Sequence, residues 1–69
     1  MFITQKVESS AINEISYDKE TKILRIQFKH GAEYDYPNVP EYEFKNLVCA
    51  PSVGRYYNTN IKKYAVRAN

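Results

Sequence analysis

Beyond Glu43 every charged side chain in this 69-residue chain is basic: Lys45, Arg55, Lys62, Lys63 and Arg67. Tyr56, Tyr57 and Tyr64 are interleaved with them. Guanidinium and ammonium groups hold phosphate and an aromatic ring stacks on a base, so the segment has the chemistry of a polyanion-binding face. The preceding residues carry the opposite sign. Up to Glu43 there are five bases against eight acids, and the formal total of +2 conceals that polarity. The same cations would also attract an acidic protein surface.

Groups suited to catalysis are scarce. His30 is the one histidine and falls in a tight turn beside Gly31, with no serine or cysteine next to it to activate, so it is read as a solvated turn residue. Cys49 is the one cysteine. It has no partner for an intramolecular disulfide or a zinc cluster and is expected to be a small buried apolar residue near a helix end. Glu33 and Asp35 lie on the outward side of a strand with Arg25 and Lys29 across from them, which makes a cross-strand charge ladder rather than an acid–base pair. No phosphate-binding loop, dinucleotide fingerprint or metal-ligand spacing is present in the sequence. The chain is therefore read as a binding module and not an enzyme, with no cofactor and no metal.

Seven tyrosines and no tryptophan is a marked aromatic bias. Tyr56 and Tyr57 are adjacent, so on a helix they point about 100° apart and one of them is expected to face solvent. Tyr57 shares a stripe with Val53 and Ile61, which leaves Tyr56 exposed beside Arg55 as a stacking residue next to a phosphate-holding one.

The elements that must position these groups can be read from periodicity. Leu24, Ile26 and Phe28 alternate with Arg25, Gln27 and Lys29, the pattern of a strand with one buried face. Ala32, Tyr34 and Tyr36 alternate with Glu33 and Asp35 and stop at Pro37, giving a second such strand. Ile15 and Tyr17 share a face just before the polar turn Asp18-Lys19-Glu20-Thr21, and Ile12, out of phase with them, predicts a bend or bulge. Parity decides the loop between the second and third of these strands. A two-residue loop would place Phe28 opposite Glu33 and bury a carboxylate. A three-residue loop, Lys29-His30-Gly31, pairs Phe28 with Ala32, Ile26 with Tyr34 and Leu24 with Tyr36, and puts glycine at the left-handed position.

From Val39 the period becomes helical. Pro40 suits a first helical turn, Glu41 and Glu43 favour the positive end of the helix dipole, and Phe44, Leu47, Val48 and Pro51 recur at helical spacing. The helix must end at or before Ala50, since Pro51 disfavours helical geometry in its predecessor. Ser52 is a natural N-cap for a second short helix with Val53, Tyr57, Ile61 and Tyr64 on one stripe, weakened at Asn58-Thr59-Asn60. The fold class is α+β: a three-stranded antiparallel β-meander with one or two short C-terminal helices packed on one face. A chain of this length makes one domain and buries only roughly 60% of its unfolded surface, so no deep cleft is expected. The lone cysteine and the absence of a signal-peptide pattern or a run of about 18 apolar residues fit a soluble, cytoplasmic protein that does not enter a membrane.

Taken in order, Ser9-Ser10, Ile12, Ile15, Tyr17-Asp18, Leu24, Ile26, Phe28, Gly31, Tyr34-Asp35-Tyr36, Val39-Pro40, Tyr42, Leu47, Ala50-Pro51-Ser52, Gly54, Asn58 and Ile61 resemble the KTSC domain. The resemblance runs from about Val7 to Tyr64 and makes residues 1–69 a single KTSC-like domain. The family occurs at the C-terminus of some lysyl-tRNA synthetases and as free-standing small proteins in bacteria and phages, which implies RNA, either tRNA or single-stranded, as a partner. The alternative is a protein-interaction module that docks an acidic partner or self-associates through a sheet edge, as a monomer or weak homo-oligomer. In either case the residues expected to make the contact are Lys45, Arg55, Tyr56, Lys62, Lys63 and Arg67.

Overall fold

Residues 24–28 and 32–36 form the centre of one antiparallel sheet in the computed structural model, which describes residues 1–68. Its strands are β1 (Ile3–Lys6), β2 (Ile12–Asp18), β3 (Ile23–Phe28), β4 (Glu33–Tyr36) and β5 (Arg67–Ala68), in sequential order across the sheet. Helix α1 (Glu41–Cys49) and helix α2 (Val53–Tyr56) follow β4, and α2 runs directly into a π-helical turn, Tyr57–Ile61. The α+β class and the meander hold, but the sheet has five strands where three were expected. Neither added strand carries an alternating pattern: all four residues of β1 are exposed, and β5 is two residues long.

The hairpin register is the one parity required. Leu24 pairs with Tyr36 and Ile26 with Tyr34, while the Phe28 amide donates to the Ala32 carbonyl at 2.8 Å. Gly31 adopts φ +107°, a conformation open to glycine and strained for any residue with a Cβ. On β2 the register against β3 shifts between Ile12 and Glu14, so Ile12 returns to the buried side through a bulge.

The core lies between one sheet face and the helices. Ile12, Ile15, Leu24, Ile26, Val39, Leu47 and Ile61 are fully buried, each contributing about 1.5–3 kcal/mol relative to an exposed side chain. Tyr17 lies flat against Phe44 with ring centroids 5.3 Å apart and donates its hydroxyl to the Val39 carbonyl at 2.6 Å, tying β2 to the start of α1. Tyr36 and Tyr57 join hydroxyl to hydroxyl at 2.6 Å, tying β4 to the π turn. Helix α1 ends at Cys49, with Ala50 already extended at ψ 141° ahead of Pro51.

Candidate functional site

Ser52 starts the segment that carries most of the predicted cations. Its hydroxyl accepts the Arg55 amide at 3.3 Å, the N-cap bond expected of serine there. Val53 and Ile61, both buried, pin one side of the α2–π segment to the core. Arg55, Thr59, Lys62 and Lys63 are all exposed and stand off that buried side. Among the described residues, Arg55, Lys62 and Lys63 have no carboxylate partner, so their charge faces solvent. The Lys63 ammonium lies 5.7 Å from the centre of the Tyr64 ring.

The other three predicted residues are placed differently. Lys45 is on the exposed side of α1 and meets Glu41 one turn earlier at 3.6 Å, a solvent-screened pair of small energy. Arg67 sits in β5 directly opposite Asp35. Opposed residues on antiparallel strands share a sheet face, so Arg67 is on the face away from the helices, with Arg25 and Asp35. Arg25 grips Asp35 there through two bonds, 2.7 and 3.1 Å, and lies 4.3 Å over the Phe2 ring. The expected charge ladder is thus present at Arg25 and Asp35, while Glu33 stands opposite Gln27 rather than Lys29.

Tyr56 corrects the expectation of an exposed stacking residue. It is half-buried and donates its hydroxyl to Glu43 Oε1 at 2.6 Å. Tyr64 donates to the other oxygen of the same carboxylate at 3.0 Å. Glu43 is 3% exposed, and a carboxylate taken that far out of water needs such donors. Burial, reinforced by Glu43, raises the Tyr56 phenol above its ordinary pKa and pushes that of Tyr64 up to about 12. This buried acid was missed in the sequence, although its spacing of four from Leu47 puts it on the apolar stripe of α1. Cys49 is a second correction: it is exposed, because the last position of α1 turns away from the core.

Between the end of α1 and the π turn is an open groove of about 340 Å³. Ala50, Pro51 and the Tyr56 ring make its apolar part, and Arg55, Thr59 and Asn60 its polar rim. Arg55 is therefore an exposed cation that also lines a concave surface. Among the described residues no three His, Cys, Asp or Glu side chains gather where a metal ion could be held, and no helix is long and apolar enough to cross a membrane.

A five-stranded meander backed by a helical corner with a cationic outer side defines a small α+β domain of a known kind. The chain belongs to the KTSC domain family, which matches residues 8–64. It is similar to a KTSC domain protein of Yersinia pestis whose crystal structure superposes with a TM-score of 0.92 at 38% identity, covering 100% of this chain and 99% of that one. A protein of Tsukamurella paurometabola is 45% identical over 58 residues, 84% of this chain and 87% of the relative. A lysine–tRNA ligase of Nostoc punctiforme is 40% identical over 57 residues, which are 83% of this chain and 10% of the ligase. The family match leaves out β1 and β5, which both lie outside residues 8–64.

Proposed function

We propose that this domain is a non-catalytic RNA-binding module that engages the sugar–phosphate backbone through the outer side of its α2–π segment. The observation that carries the reading is that Arg55, Lys62 and Lys63 are exposed, have no carboxylate partner among the described residues and lie within or next to one short segment anchored by Val53 and Ile61. Lys45 on the neighbouring helix extends the charge at lower strength, because Glu41 screens it. Arg67, across the sheet beside Asp35, is not part of the contact. Similarity to a segment of a lysine–tRNA ligase points in the same direction, since that protein handles RNA by name. Contacts of this kind read backbone charge with little sequence discrimination.

Titration of a fluorescein-labelled tRNA at low ionic strength tests the reading. Saturable binding that weakens when Arg55, Lys62 and Lys63 are changed together to alanine is expected. No binding, or binding indifferent to those changes, would contradict it. Copurification of one stoichiometric acidic protein that survives nuclease treatment would move the domain to the protein-docking class.

A further inference from the structure

We infer that the groove at the α1–α2 corner is a subsite for a single ribonucleotide of the bound strand, with its phosphate on Arg55 and its ribose against Thr59 and Asn60. This rests on the RNA reading and adds to it a location and a preference for ribose over deoxyribose. The groove, about 340 Å³, is at the small end of ligand-sized pockets.

Its walls are fixed before any ligand arrives. The Tyr56 ring is anchored by the 2.6 Å bond from its hydroxyl to Glu43, and Pro51 has a locked backbone. Ser52 is held in place by its bond to the Arg55 amide, which in turn sets where the Arg55 side chain leaves the helix. A preformed concave surface loses little freedom on binding.

The rim groups are unspent. Arg55 offers a planar fork of donors that matches two phosphate oxygens at once. Among the described residues, the Thr59 hydroxyl and the Asn60 amide make no hydrogen bond to protein. Together they supply donors and acceptors, and a ribose 2′-hydroxyl is both a donor and an acceptor. The π turn brings these residues to one place. On an α-helix Asn60 would stand about 140° round from Arg55, whereas the wider π turn over Tyr57–Ile61 draws it back toward the groove.

The test uses the intact chain and two labelled probes, decauridylate and the same strand built on 2′-deoxyribose, compared by fluorescence anisotropy at one salt concentration. The wild type is expected to bind the ribose strand about fivefold tighter, the scale of one hydrogen bond of about 1 kcal/mol. Changing Thr59 and Asn60 together to alanine should bring the two affinities together, while Arg55→Ala weakens both strands. Amide shift mapping of the isotope-labelled wild type with decauridylate covers the case in which a variant unfolds: Arg55, Thr59 and Asn60 should move among the most. If the ribose strand binds but shows no advantage, keeps its advantage in the Thr59 and Asn60 variant, or leaves the groove amides unmoved, the subsite is wrong and the RNA reading stands. If neither strand nor tRNA binds, both fall.

Discussion

Tyr56 donates its hydroxyl to Glu43 at 2.6 Å, which turns the one tyrosine expected to face solvent into a strut between α2 and α1. Tyr64, just past the π turn, completes the bracket from the other side of the carboxylate. Much of the tyrosine bias is accounted for in this way. Tyr17, Tyr36, Tyr56, Tyr57 and Tyr64 all use their hydroxyls to bond one segment of the domain to another.

Removing the acid should loosen the helical corner. Glu43→Ala leaves two phenols without an acceptor and is expected to cost about 2–3 kcal/mol, with Tyr56→Phe and Tyr64→Phe each costing less. Urea unfolding of the three variants checks this. The sum of the two phenylalanine effects should differ from that of the double variant, because both donors share one carboxylate.

Alkali should weaken the fold in a defined window. Burial is the first cause of the raised pKa of Tyr64, which reaches about 12, and Glu43 is the second. A phenol with a higher pKa folded than unfolded stabilises the protein below its unfolded value near 10, and that contribution is lost as pH rises toward 12. The melting temperature should therefore fall between pH 10 and 12, and less steeply in Tyr64→Phe. An identical slope in the variant would show that Tyr64 is not responsible.

Gly31→Ala should cost about 1 kcal/mol or more, because φ +107° is strained for alanine even though no atom beyond the adjoining residues lies within 4 Å of where its Cβ would stand. Thermal melts monitored by circular dichroism suffice. A melting temperature equal to that of the wild type would mean the turn relaxes without penalty.

Cys49→Ser should change stability by less than about 0.5 kcal/mol, as expected of an exposed position. The native thiol should react with a disulfide reagent without prior unfolding. Protection of the thiol in the folded protein would overturn its placement.

Legibility in the sequence tracked how much apolar surface each element buries. The β3–β4 register followed from keeping Glu33 off the core, and the end of α1 and the cap of α2 followed from Pro51 and Ser52, whose effects are local. Strand β1 left no pattern because none of its residues is buried; pairing with β2 and the contact of the adjoining Phe2 ring with Arg25 hold it instead. The π turn showed only as weak helix formers at Asn58-Thr59-Asn60. Of the six candidate contact residues, Arg55, Lys62 and Lys63 are exposed, as positions off the stripe of Val53 and Ile61 should be. Tyr56 keeps its ring beside Arg55 in the groove but gives its hydroxyl to a buried acid on another helix, and Arg67 is taken by a strand pairing of two residues.

The salt dependence of RNA affinity tests the central claim most directly. Three phosphate contacts, one each for Arg55, Lys62 and Lys63, predict that the affinity for single-stranded RNA falls about 20-fold between 50 and 200 mM monovalent salt, and that each alanine substitution makes the slope shallower by about 0.7. An affinity that does not change with salt, or a slope untouched by all three substitutions, would contradict it.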